Sequence, residues 1–395
     1  MKQNWKLNKL SEVIIDMKDG GTPSRKNASY FGGDINWCVV TDIKPAIYDT
    51  KEKLTKEGLS KCSSKLWPIN TVIISLGATI GKVGLAKVPV ATKQGLSGIV
   101  VNAELLLPEY LIYYLNLKKD YIQSLATGTT IKEVRPPKLK ENLLIPVAPI
   151  NEQKNIVEKL DTCMEQIDKA IQNVEKNIQN AKDLFKSQLN EIFSQKGDGW
   201  QTKKMQELCE KITDGTHQTP KYFDQGVVFL SSKNVTSGKI DWENVKYIDN
   251  EQHIAMHKRI APKINDILLA KNGTTGVAAM VDRDVVFDIY VSLAHIRVLD
   301  EVIPKYMLHY INSPLAKKQF NSRLKGVGVP NLHLKEIREV EVSFPISKLK
   351  QESIITQLDG LKRQVDLVKI YYQKEIFALK ELKQTILEKA FNGEL

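Results

Sequence analysis

Residues recur along this chain in the same order and at a nearly constant distance. Trp5 is answered by Trp200, Asp19-Gly20 by Asp214-Gly215, Tyr30-Phe31 by Tyr222-Phe223, and Asn70 by Asn265. The series continues with Gly81 and Gly276, Pro108-x-Tyr110 and Pro304-x-Tyr306, Gly128 and Gly326, and Leu160-Asp161 and Leu358-Asp359. The offset stays between 192 and 198 residues, far longer than the ~20–50 residues of a solenoid repeat. The chain is therefore a whole domain with its own trailing helix, duplicated. Two similar but non-identical heads suit a target with two similar but non-identical halves.

The first part of each copy mixes short strands with turn signals. Thr71–Ser75 and Asp266–Ala270 are apolar runs of strand length, each preceded by Asn and soon followed by Gly. Pro108–Leu115 and Pro304–Ile311 predict short helices that open on Pro, and Leu143–Pro146 and Val340–Pro345 predict closing strands. The period then changes. From about Glu152 to Ser194 there is neither Gly nor Pro, and apolar residues fall seven apart. One series is Val157, Met164, Ile171, Ile178, Phe185 and Ile192; the other is Leu160, Ile167, Val174 and Ala181. The second copy repeats the pattern from about Leu349 to Asn392 with Leu358, Val365, Tyr372, Leu379 and Ile386. These are coiled-coil heptads.

A helix with one apolar seam needs a partner, either its own duplicate or a second chain. Duplication supplies a matching seam within the chain and favours the first. The expected fold is α+β: mixed α/β heads at 1–150 and 197–347, each followed by a long helix (151–196 and 348–395). The two helices are expected to pair antiparallel, with Leu160, Ile167, Val174 and Ala181 set against Leu358, Val365, Tyr372 and Leu379. Met164, Ile171, Phe185 and Phe377 are expected to be left for other partners.

Lys and Arg number 57 against 46 Asp and Glu in 395 residues, a net charge of +11. That excess favours a polyanionic partner, nucleic acid before acidic membrane, although a generally basic surface would have the same composition. Cys38, Cys62, Cys163 and Cys209 are scattered and form no C-x-x-C pair. They predict reduced, mostly buried thiols, with neither a zinc site nor a disulfide frame. No apolar run reaches the ~18 residues of a membrane span, and the start of the chain lacks a signal-peptide core. The expectation is a cytoplasmic protein.

Catalytic patterns are weak. Gly77–Val83 approaches a phosphate-binding P-loop, but it is one residue short and Val83 stands where a metal-binding hydroxyl is needed. The second copy, Asn272–Val277, has no Lys there. His253 and His257 have helical i, i+4 spacing, yet no adjacent Glu makes a metalloprotease motif and no third ligand is evident. Arg135-Pro136-Pro137-Lys138 is not the Pro-Pro motif of amino-methyltransferases. The expectation is a binding protein without catalytic, metal or cofactor residues of its own.

Each long helix opens on a related pattern: Glu152-Gln153-x-x-Ile156-Val157-x-x-Leu160-Asp161, then Lys350-Gln351-x-x-Ile354-Ile355-x-x-Leu358-Asp359. With the ending Ala390-Phe391-Asn392-Gly393-Glu394-Leu395 and the Trp, Asp-Gly and Thr-Pro openings of the heads, the whole chain resembles the specificity subunit of type I restriction-modification systems. Lys350 departs from the usual acidic residue, which touches a helix start only. The resemblance implies a non-catalytic reader of double-stranded DNA, with one target-recognition domain per half of a bipartite site and the helices as a ruler. It also implies two methyltransferase subunits that use S-adenosylmethionine, and two restriction subunits that use ATP and magnesium. A coiled-coil adaptor whose heads bind protein is the alternative; the basic excess and the Gly/Thr/Lys loops speak against it.

Candidate DNA contacts are polar or cationic residues beside Gly, Pro or strand ends, where loops project from a scaffold. In head one these are Thr22, Ser24, Arg25, Lys26, Lys44, Thr79, Lys82 and Lys132. In head two they are Thr216, His217, Lys221, Lys233, Asn234, Lys271, Asn272 and Thr274.

Overall fold

The computed structural model describes residues 4–128, 132–323 and 331–395; Gly326 of the repeat series lies outside them. The chain forms two compact units, Met1–Val174 with Lys374–Leu395, and Glu175–Gln373. Each unit therefore holds one head and a length of both long helices, so the units cut across the divisions drawn along the sequence.

In the first unit, Lys6–Lys9 pairs antiparallel with Leu144–Val147, closing the head on itself. A five-stranded sheet runs in the order Ile14–Asp19, Leu96–Val101, Val72–Ser75, Val83–Ala86, Ala46–Ile47. A three-stranded sheet runs Glu52–Leu54, Phe31–Cys38, Val90–Thr92. The central strand Val72–Ser75 is buried at every residue, which explains its continuous apolar run rather than an alternating one.

The second unit repeats the plan. Trp200–Lys204 pairs with Glu341–Pro345. A four-stranded sheet runs Cys209–Asp214, Leu293–Val298, Ile267–Ala270, Ala278–Met280, and a three-stranded one runs Lys246–Ile248, Val227–Leu230, Phe287–Ile289.

The repeated residues hold the backbone positions that other residues would strain. Among the described residues, Asn70 and Asn265 are the non-Gly residues with positive φ, 63° and 71°, and each turns the chain into a central strand. Asn tolerates that region better than most side chains. In the Asp-Gly pairs, a Cβ on Gly20 would lie 2.1 Å from the Thr92 carbonyl oxygen, and one on Gly215 1.9 Å from that of Ile289. Only glycine lets the strand end approach the neighbouring sheet so closely.

The long helices span Ile150–Phe193 and Lys348–Asn392, each about 66 Å at ~1.5 Å per residue. Gln153 and Gln351, both fully buried, latch each helix start to its head. Gln153 accepts from the Leu107 amide at 2.9 Å and donates to the Leu105 and Ala148 carbonyls at 2.8 Å. Gln351 repeats this with Ile303, Glu301 and Pro345.

Each helix end docks as well. In the first unit Phe391 packs edge-on against Tyr110 and Tyr114, with ring centroids 4.8 and 4.9 Å apart. In the second, Phe193 meets Tyr306 and Tyr310 at 5.4 and 5.2 Å. Thus in each unit the start of one long helix and the end of the other share a core, Leu160 with Leu387 in the first and Leu358 with Leu189 in the second. That is the antiparallel sense expected.

Leu160, Ile167, Val174 and Leu358 are buried, whereas Ala181, Val365, Tyr372 and Leu379 are only half-buried. Met164 and Phe185, expected to face partners, instead pack against the cores of their own units. Phe377 remains 66% exposed.

Candidate nucleic-acid interface

In head one, Thr22 to Lys26 form the loop that leaves the strand Ile14–Asp19. The loop is anchored from beneath: the Trp37 indole donates to the Gly21 carbonyl at 3.1 Å, and Ser63 Oγ donates to Gly20 at 3.0 Å. Ser24, Arg25 and Lys26 are exposed and Thr22 is half-buried. Arg25 lies over the Phe31 and Trp37 rings at 4.7 and 5.1 Å and makes a two-pronged pair with Glu52 at 2.5 and 3.0 Å. Its position is fixed, but two of its N–H groups are taken.

Thr79 and Lys82 lie on the turn joining Val72–Ser75 to Val83–Ala86. Ser75 organises this turn: its Oγ accepts from the Lys82 amide at 2.9 Å and donates to the Thr79 carbonyl, and its own carbonyl accepts from the Gly81 amide at 2.9 Å. The strand is followed by a strand, not a helix, so the segment is no P-loop. Lys44 stands beside the same hairpin, since the adjacent Pro45 carbonyl accepts from Leu85 at 3.0 Å. Thr79, Lys82, Lys44 and Lys132 are all exposed.

Head two presents the equivalent places with different contents. Thr216 and His217 follow the Asp-Gly pair, and Asn272 and Thr274 occupy the hairpin turn. His217, Lys221, Lys233 and Thr274 are exposed, while Thr216 and Asn272 are half-buried.

Two candidates are corrected. Lys271 is 5% exposed, and its Nζ lies 2.5 Å from Asp214 Oδ2. Asn234 is buried and spends its amide on the backbone, accepting from Ser231 at 2.9 Å and donating to the Asn244 carbonyl at 3.0 Å. Neither side chain is free to reach a duplex. The error has one cause: a Lys or Asn just past a strand end reads as a loop residue until the buried partner, distant in sequence for Lys271, is known.

Asp214 also takes Arg259 at 2.9 Å and His217 at 3.3 Å. Burial pushes this carboxyl upward, but Lys271 and His217 together hold Asp214 below the usual carboxylate range. Its counterpart Asp19 has Leu76 where Asp214 has Lys271, and there burial raises the carboxyl above its ordinary value.

Sequence reasoning also missed a shared device. The repeated Tyr-Phe pair carries cations over its rings in both heads: Arg25 over Phe31, Lys221 over Phe223 at 5.5 Å, and Lys246 over Tyr222 at 3.8 Å. The recurrence of Tyr30-Phe31 as Tyr222-Phe223 was the available signal. The acidic neighbour of the two helical histidines was also missed, since Asp288 lies against both of them.

The four cysteines are free; Cys38 and Cys209 are buried, with burial pushing each thiol up to about 12, and Cys62 and Cys163 are half-buried. No helix among the described residues is long and apolar enough to cross a membrane.

The family model for the type I restriction modification DNA specificity domain matches this chain twice, over residues 2–178 and 197–376. The chain belongs to this family. It is a specificity subunit, the recognition component rather than the catalyst of its system. Among its relatives, the type I restriction enzyme MjaIX specificity subunit of Methanocaldococcus jannaschii is 26% identical, covering 100% of this chain and 94% of that one. The EcoKI specificity subunit of Escherichia coli K12 is 24% identical, with 100% and 90% covered. A chain solved in work on complex assembly and conformational transition of a type I R-M system superposes with a TM-score of 0.79 at 21% identity, covering 100% and 99%. The HsdS subunit of Thermoanaerobacter tengcongensis does so at 0.56 and 20%, covering 100% and 98%. Both show the same fold.

Proposed function

We propose that this specificity subunit reads a bipartite, asymmetric DNA target, one half-site per head. The observation that supports this is a repeated scaffold with diverged loops. The loop after Asp-Gly and the hairpin turn recur at equivalent places, but Thr79 and Lys82 in one head are answered by Thr274 and Val277 in the other. Similar frames with different donors suit two different short sequences, because base edges are distinguished by donor and acceptor pattern. Exposed Ser24, Lys26, Lys44, Lys82, Lys132, Lys221 and Lys233 would supply phosphate contacts, with Thr22, Thr79, Thr216, His217, Asn272 and Thr274 nearer to base edges.

The same reading makes the subunit a scaffold for two methyltransferase subunits using S-adenosylmethionine, and for two restriction subunits using ATP and magnesium. Leu367, Ile370 and Tyr371 on the second long helix are 51–68% exposed and offer an apolar face for such docking. Their unburied state replaces Met164 and Phe185 as the candidate partner surface.

An electrophoretic shift on random duplex DNA at two salt concentrations tests DNA binding, since each phosphate contact adds about one unit to the salt slope. Lys82→Ala should weaken binding and lower that slope by about one. A shift absent at low salt, or an unchanged slope in the variant, would count against this interface.

A further inference from the structure

The short helix Asn250–His257 carries His253 and His257 on one face, with ring centroids 4.6 Å apart. Opposite them is Asp288, in the middle of the strand Phe287–Ile289 and 2% exposed. His253 Nδ1 lies 2.6 Å from Asp288 Oδ2, and His257 Nδ1 lies 3.2 Å from Oδ1. One ligand atom from each of the three residues falls within 4.8 Å of the others.

We propose that His253, His257 and Asp288 form a binding site for a divalent transition-metal ion of the zinc class. Two imidazoles and one carboxylate are a donor set that suits zinc, cobalt or nickel rather than the all-oxygen shells of calcium and magnesium. Bonds of ~2.0–2.1 Å in a tetrahedral shell place neighbouring ligand atoms ~3.3 Å apart. The two imidazoles lie 2.6 and 3.2 Å from Asp288 and all three ligand atoms fall within 4.8 Å, a closed, hydrogen-bonded form that side-chain shifts of about 1.5 Å or less would bring onto an ion. His253 and His257 are partly exposed, 15% and 30% by side chain, so the ion has a route in, and three protein ligands leave a position for water.

Charge points the same way. Among the described residues, the ion-pair partners of buried Asp288 are these two histidines. A dication held by the three side chains would set a full positive charge against that buried carboxylate. The shared fold does not demand the cluster, since the equivalent strand of the first unit, Val90–Thr92, has Ala91 at this position. All six histidines of the chain lie in the second copy. The site is a feature of head two.

The ion would fasten this helix to the sheet. The helix in turn holds the loop bearing Lys221, because Gln252 accepts from the Lys221 amide at 2.9 Å and donates to its carbonyl at 3.0 Å. Metal would thereby steady one candidate DNA loop, a consequence that rests on the DNA-reading proposal, whereas the site itself does not.

The test uses the full-length chain, stripped with chelator, without DNA, near neutral pH, titrated with cobalt(II) and then zinc(II). Expected are one equivalent of cobalt with tetrahedral absorption bands, displacement by zinc, and affinity lowered about 100-fold in His257→Ala. Asp288→Asn should behave alike, and the half-exposed His257 variant keeps the test valid if the buried one misfolds. Absence of stoichiometric binding would overturn the proposal. So would bands that persist in His257→Ala, or thiolate charge-transfer bands that place the metal on cysteines.

Discussion

Replacing Lys271 with Ala separates a structural lysine from a DNA contact. Lys271 and Asp214 are 7% and 6% exposed by side chain and 2.5 Å apart. Removing one partner of a buried pair costs ~3–5 kcal/mol because the other charge is left uncompensated. Asp214 keeps Arg259 at 2.9 Å and His217 at 3.3 Å, so the lower end of that range, about 3 kcal/mol, is expected. In a unit of this size about 3 kcal/mol lowers the melting temperature by roughly 6–12 °C.

The loss should be confined to head two. Hydrogen exchange followed by mass spectrometry should show faster exchange in Ile267–Ala270 and unchanged exchange in Val72–Ser75. The sign of the pH effect follows from the depressed Asp214 carboxyl. Its contribution is present above the unfolded value and is lost as pH falls through the folded one. The variant should therefore show a smaller loss of stability on acidification than the parent. If Lys271→Ala melts like the parent but binds DNA more weakly with a salt slope lower by about one, the lysine is a phosphate contact and the argument from burial fails.

Phe391→Ala should destabilise the first unit by about 3–5 kcal/mol, as for other buried aromatics, and expose the end of the second long helix to limited proteolysis; an unchanged denaturation midpoint would refute its docking role. Inserting four residues in one long helix adds ~6 Å, close to two base pairs at ~3.4 Å, so the spacer of the preferred site should lengthen while both half-sites persist. A spacer unchanged by the insertion would mean that the helices do not set it.

Much of the architecture was written in the duplication. Asn70 and Asn265, the Asp-Gly pairs and the Pro-opened helices mark backbone constraints that any copy of this fold must meet, so they survive in both copies and can be read by alignment of the chain with itself. The heptads announced the long helices for the same reason. What could not be read are contacts made once and at long range. Lys271 finds Asp214 across an antiparallel sheet, and Asp288 reaches His253 and His257 because a parallel pairing of Phe287–Ile289 with Val227–Leu230 places that strand under the helix. Nothing local to Lys271 or Asp288 signals either partner. The seam was legible as a pattern, but its depth was not: Leu160 and Leu358 are fully buried near the heads, while Val365 and Tyr372 farther along are half open.

Exchange of one head tests most directly whether each head reads its own half of the target. Residues 197–347 can be replaced by the equivalent segment of another specificity subunit, and the chimera assembled with its methyltransferase subunits. Sequencing the methylated motifs then reads the outcome directly. One half-site should change while the other half-site and the spacer are retained. A motif altered in both halves, or in neither, would contradict it.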